Sequence, residues 1–185
     1  MKVGVLCEFS GIVRDAFTSL GHDATSCDFL PSEAVGKHII DNCLNVDWST
    51  YDLLICHPPC TYITNAGARW WPKWHDEQAF ALEFVQQLLS LPVPRIALEN
   101  PRGLINVRIR KPDQTVQPWM FGDKASKRIC LWLKNLPLLV PTNIVPENSR
   151  AQYTEWVSPG PDRWKIRSRT HKGFARAMAE QWGIF

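Results

Sequence analysis

Residues 51–60 read YDLLICHPPC. The first six form a compact apolar run of the kind that makes a strand buried on both faces of a sheet. The next four place a histidine, two prolines and a cysteine where that strand ends. Proline fixes its own φ near −65°, so Cys60 follows a turn with two torsions already set. A thiolate is the softest side-chain nucleophile. By residue type alone, a small buried apolar group is the commoner role for an isolated cysteine such as Cys60.

On either side of this segment, short apolar runs alternate with helical periods. Residues 2–7 (KVGVLC) predict a first strand. Ser10 can cap the helix that follows, where Ile12, Val13, Ala16, Phe17 and Leu20 recur at helical spacing, and Gly21 ends it. Residues 23–28 predict a second strand ending in Asp28, and residues 38–46 a third finishing near Asp47. Residues 76–91 predict an amphipathic helix with Phe80, Ala81, Phe84, Val85, Leu88 and Leu89 on one face, broken by Pro92 and Pro94. Residues 95–99 and 129–133 read as further strands, and residues 170–182 as a terminal helix. This alternation predicts an α/β fold: a mostly parallel, Rossmann-like sheet with helices on both faces. Without an internal repeat or boundary, residues 1–185 read as one domain, with 141–168 a Pro-rich loop.

Composition narrows the class. The length of 185 residues suits one core. No stretch approaches the roughly 18 apolar residues of a membrane helix, and the N-terminus turns acidic too soon for a signal peptide. A cytoplasmic protein with six reduced cysteines is expected. Cysteine spacing offers no metal site. A net charge of +3 permits nucleic-acid binding without arguing for it. Two basic runs lack acids: RGLINVRIRK, with Arg108 and Arg110, and RWKIRSRTHK, with Arg167 and Arg169. Trp70, Trp71 and Trp74 beside Arg69 and Lys73, with Trp156 and Trp164, mix flat rings with cations as a nucleic-acid groove does. Packing in the core is the better reading for most of the nine tryptophans, and the loop tryptophans 70 and 71 divide evenly between the two readings.

In a parallel sheet, ligands bind at the carboxyl ends of the strands. Polar residues gather there: Glu8-Phe9-Ser10-Gly11 after the first strand, Asp28 at the second, Asp47 after the third, His57-Pro58-Pro59-Cys60 after the fourth, Glu99-Asn100 after the fifth. A glycine where a helix begins lets a cofactor approach the backbone, and an acid ending the second strand suits a ribose diol. The Gly-x-Gly-x-x-Gly fingerprint of dinucleotide folds is absent. Burial of Glu99 is expected to raise its pKa and keep a proton available at neutral pH.

At Pro59-Cys60 together with Glu99-Asn100, the chain resembles the cytosine carbon-5 DNA methyltransferases. The order Phe9-Ser10-Gly11, Asp28, Asp47, Pro59-Cys60, Glu99-Asn100 matches that family's order of motifs over residues 2–134. HPPCTYITNAG, ENP and SRTHKGFARAMAEQWG are similar to small bacteriophage and prophage methyltransferase-like proteins. The resemblance implies S-adenosylmethionine as cofactor, held by Phe9, Ser10, Gly11, Asp28, Asp47 and Pro58. It implies Cys60 adding to carbon 6 of cytosine, Glu99 on ring nitrogen 3 and the exocyclic amine, Asn100 orienting the base or the proline turn, and Arg128 on the carbonyl oxygen. DNA is the implied partner, touched by Arg69, Trp70, Arg108, Arg110, Arg167 and Arg169, with the base flipped or single-stranded.

The chain departs from the family in three places. Val13-Arg14 replaces the second glycine of the first loop. Lys124 and Lys127 replace the Gln and first Arg of the Gln-x-Arg-x-Arg motif, leaving Arg128. Residues 135–167 stand where the family has a target-recognition domain, so specificity falls to a protein partner, a homodimer or nothing. Two other functions compete: the same chemistry on a free nucleotide or single strand, and a non-catalytic binding or anti-restriction role. Retention of Cys60, Glu99 and Arg128 together argues against the last.

Overall fold

The computed structural model describes residues 1–151 and 160–185; Trp156 lies outside the described residues. Its strands are β1 (Lys2–Leu6), β2 (Asp23–Asp28), β3 (His38–Ile40), β4 (Leu53–Cys56), β5 (Arg95–Pro101), β6 (Gln114–Val116) and β7 (Ile129–Lys134). They form one sheet in the order β3-β2-β1-β4-β5-β7-β6. From β3 to β5 every pairing is parallel, and β7 runs antiparallel to both β5 and β6.

The period-two alternation of strand side chains sends each strand into two cores. All four residues of β4 are buried. Leu53 and Ile55 enter one core and Leu54 and Cys56 the other. Helices α1 (Ile12–Ser19) and α5 (Lys172–Trp182) cover the first face with Val13, Phe17, Phe174, Met178 and Trp182. Helix α2 (His75–Leu89) covers the second with Val85 and Leu88, beside the short α3 (Ile105–Arg108). A mostly parallel sheet with helices on both faces and β7 reversed is the Rossmann-like α/β arrangement that the alternation predicts. No helix among the described residues is long and apolar enough to cross a membrane.

Four local readings need correction. Strand β3 stops at Ile40, because Asn42 accepts from Leu44 N through Oδ1 and opens a 3₁₀ turn, Cys43–Asn45. The acid at the end of β3 is therefore Asp41, not Asp47. Phe80 is 74% exposed; Val85 and Leu88 do the burying on α2. Part of the 141–168 loop is helical, as α4 (Arg163–Ser168). Strand β6 has only three residues, too few to show a period, and is held by its pairing with β7.

The reversal of β7 positions the site. Pro101 at the carboxyl end of β5 pairs with Ile129 at the amino end of β7. The residues just before β7 thus reach the same edge as the carboxyl ends of β1, β2, β3, β4 and β5.

Candidate active site

The chain leaves β4 with His57 N donating to Leu6 O at 2.9 Å. Asn100, only 2% exposed, donates from Nδ2 to Pro58 O at 2.8 Å. The carbonyl oxygen of Cys60 accepts from Ile63 N and Thr64 N at 3.1 and 2.9 Å. Leu104 N then donates to Ile63 O at 2.8 Å, and Thr64 bridges Gly103. A Cβ on Gly103 would stand 1.9 Å from Ile63 O, so only glycine permits that approach. The turn carrying Cys60 is thereby stitched to the continuation of β5. Cys27, Cys43, Cys56 and Cys130 are buried, whereas Cys60 and Cys7 are partly exposed. Cys7 is turned inward, its sulfur 4.0 Å from that of Cys43.

Behind the thiol, His57 Nδ1 lies 3.2 Å from Glu99 Oε2. Burial pushes the Glu99 carboxyl upward, but the His57 hydrogen bond and the charges of Lys127, His57 and His171 outweigh it. The net direction is below the usual carboxylate range, so the expected raised pKa of Glu99 is wrong: the cations gathered around it were invisible in sequence. Cys60 moves the other way. Burial and then the charge of Glu99 push its thiol up, and Lys127 and Arg167 only partly offset them. The resting pair is an ionised Glu99 beside a protonated Cys60. Glu99 Oε1, His57 Nε2 and Asn100 Oδ1 are buried with no hydrogen-bond partner among the described residues, and buried polar atoms left so are costly unless something meets them.

Consecutive residues of an extended segment point opposite ways. Lys127 is the one whose charge reaches both Cys60 and Glu99. Arg128 lines a neighbouring cavity with Asn65, Trp71 and Arg102. The structure brings Cys60, Glu99 and Asn100 together and adds Lys127 and His57, which sequence reasoning did not assign.

At the β1 end, Gly11 adopts φ 75°. Its Cβ would meet the Arg14 guanidinium at 2.5 Å and Ala34 at 3.0 Å. Ser10 Oγ donates to Glu8 Oε1 at 3.2 Å and accepts from Ile12 N at only a long 3.3 Å. The start of α1 is held instead by Glu8, a buried acid whose carboxylate accepts from Val13 N at 2.6 Å and Arg14 N at 3.2 Å. An acid there satisfies otherwise orphaned N–H groups and suits the positive end of the helix. Burial nevertheless pushes the Glu8 carboxyl up, with His57 and those N–H groups opposing. Arg14, 1% exposed, donates to Ser26 Oγ, Ser32 Oγ and Ala34 O, pinning the loop after β2. Asp28 is partly buried; Oδ1 accepts from Leu30 N, and burial pushes its carboxyl up. Phe9 packs against Trp164, ring centroids 5.9 Å apart. Asp47 is exposed and accepts from Ser49 N at 2.9 Å.

No family model and no curated protein matches the chain. Among solved structures it is similar to a triple mutant of Spodoptera frugiperda DNMT2, at 18% identity and a TM-score of 0.47, over 78% of this chain and 54% of that one. The chain thus spans about half the length of that protein.

The basic runs are less free than their sequence suggests. Arg110 pairs with Asp113 at 2.7 Å and donates to Leu133 O, near the opposite edge of the sheet. Arg169 makes a two-pronged pair with Glu33 at 2.9 and 2.8 Å, tying the end of α4 to the loop after β2. Arg108 is exposed on α3. Arg69 and Lys73 lie over the Trp70 ring at 5.1 and 5.5 Å, a cation–π arrangement on an exposed loop.

Proposed function

We propose that the protein methylates carbon 5 of cytosine in DNA, with Cys60 as covalent nucleophile. The observation that carries this reading is the convergence of a partly exposed Cys60, a Glu99 paired with His57, and Lys127 at one sheet edge, on a turn braced by Asn100. Carbon 5 of cytosine is a poor nucleophile and needs addition at carbon 6 to become one. Cys60 forms the sulfur–carbon bond. Its proton passes by way of Glu99 to ring nitrogen 3, which turns the ring into an enamine. Proton accounting closes, because the resting site holds that proton on sulfur and none on Glu99. Lys127 faces the developing charge near the carbonyl oxygen, the place the resemblance assigned to Arg128.

Asp28, whose carboxylate accepts from Leu30 N, stands at the end of β2, where an acid fits a ribose diol. Asp41 at the end of β3 takes the place first given to Asp47, and the buried Phe9 ring, packed against Trp164, borders the same edge. This donor set fits S-adenosylmethionine, which supplies an activated methyl group when bound. Afterwards the carbon 5 proton leaves to solvent, the bond to Cys60 breaks, and Glu99 carries the nitrogen 3 proton back to sulfur.

A second reading keeps the chemistry on a single strand or free nucleotide. It is favoured by Arg110 and Arg169, which are committed to internal ion pairs rather than to duplex phosphates. One assay tests both: labelled S-adenosylmethionine with duplex DNA, single-stranded DNA and dCMP in parallel. 5-Methylcytosine in duplex DNA supports the first reading, and label confined to single-stranded DNA or dCMP replaces it with the second. Label in no substrate contradicts both.

A further inference from the structure

Beside the catalytic pair lies a cavity of about 730 Å³, within the roughly 300–1,000 Å³ of ligand clefts. Three of its lining residues are cations, Arg102, Lys111 and Arg128, and none is acidic. None of the three forms an ion pair among the described residues, unlike Arg110 next door. Trp71 also lines the cavity, and its indole N–H is buried with no acceptor among the described residues. Asn65 and Thr115 add further polar groups.

Unopposed cations around a concave space, with a buried donor lacking its acceptor, describe a site for an anion of nucleotide size. The wall of the cavity continues the Cys60 turn, since Asn65 N donates to Arg102 O at 3.0 Å. Arg128 follows directly after Lys127, whose charge reaches Cys60 and Glu99.

We infer that this cavity binds a nucleotide phosphate of the substrate, held by Arg102, Lys111, Arg128 and Trp71 while the base reaches Cys60. The inference rests on the cytosine reading for what lies at Cys60, but the cavity can be tested without turnover. A single strand supplies the phosphate from the neighbouring phosphodiester. A free nucleotide supplies it from its own 5′ group.

The test is equilibrium binding of a fluorescent single-stranded cytosine oligonucleotide, and separately of dCMP, to the parent, to the Arg102→Gln/Lys111→Gln variant and to the Arg102→Lys/Lys111→Arg variant. S-adenosylmethionine affinity and thermal melting serve as folding controls. The Gln variant should bind the oligonucleotide at least tenfold more weakly, with the slope of log affinity against log salt reduced by about 1.4. The charge-conserving variant should bind like the parent. A loss for the oligonucleotide alone assigns the phosphate to the strand, and an equal loss for dCMP assigns it to the target nucleotide. Unchanged affinity and salt slope for both, in a folded Gln variant, would overturn the inference. Binding without methylation would sink the cytosine reading and leave the phosphate site standing.

Discussion

The side-chain amide of Asn100 donates to the carbonyl oxygen of Pro58 across 2.8 Å, inside the protein. This bond joins the end of β5 to the turn that presents Cys60, so the base side of the site and the nucleophile share one brace. Asn100→Ala leaves a buried carbonyl unpaired and should cost about 1–3 kcal/mol. Asn100→Asp offers an acceptor where a donor is needed and should fare no better. Thermal melting checks both, and an Asp variant as stable as the parent would contradict the assignment.

Cys60 alkylation reports the electrostatics without any substrate. Burial and Glu99 hold the thiol protonated, so iodoacetamide should label Cys60 slowly at neutral pH and faster as pH rises. Glu99→Gln removes a charge that raises the thiol, so labelling at pH 8 should speed up. Lys127→Gln removes a cation that favours the thiolate, so labelling should slow. Peptide mass spectrometry follows the rates, and opposite signs would sink the picture.

Glu99 also gives stability a pH dependence. Its folded pKa is depressed by His57 and the surrounding cations despite burial. Such a group stabilises above its unfolded value, about 4.3, and loses that contribution as pH falls through the folded value. Parent and Glu99→Gln should therefore differ most in melting temperature near neutral pH, with the gap narrowing in acid. A gap that widens in acid refutes the direction.

The cofactor edge is tested by calorimetry with S-adenosylmethionine and its demethylated product. Asp28→Ala should weaken binding by about 1–3 kcal/mol, the cost of unpaired hydroxyls. Asp41→Ala should weaken it as well, whereas Asp47→Ala should leave it unchanged. If Asp47 proves to be the sensitive acid, the strand-end argument for Asp41 is wrong.

The fold was legible wherever a pattern repeats. LLIC is buried on both faces as an apolar run should be, and the stripe through Val13 and Phe17 did mark α1. What failed depended on single contacts. Asn42 ends β3 with one hydrogen bond, so the acid moved from 47 to 41. Cys60, Glu99 and Asn100 were placed by adjacency to strand ends, which parallel topology converts into proximity. Lys127 and His57 depend on the reversal of β7 and on which way a side chain turns, and neither has a sequence period. Glu8 was named only as part of a loop; its role as the cap of α1 became visible once Gly11 turned left-handed.

The most direct measurement of the account is trapping. A cytosine carrying fluorine at carbon 5 lacks the proton that must leave before sulfur departs. With S-adenosylmethionine and fluorinated DNA, the protein should form an adduct that survives denaturation and maps by mass spectrometry to Cys60. Cys60→Ser should form none, because a hydroxyl ionises far less than a thiol. An adduct on another cysteine, or turnover by Cys60→Ser, would contradict the account.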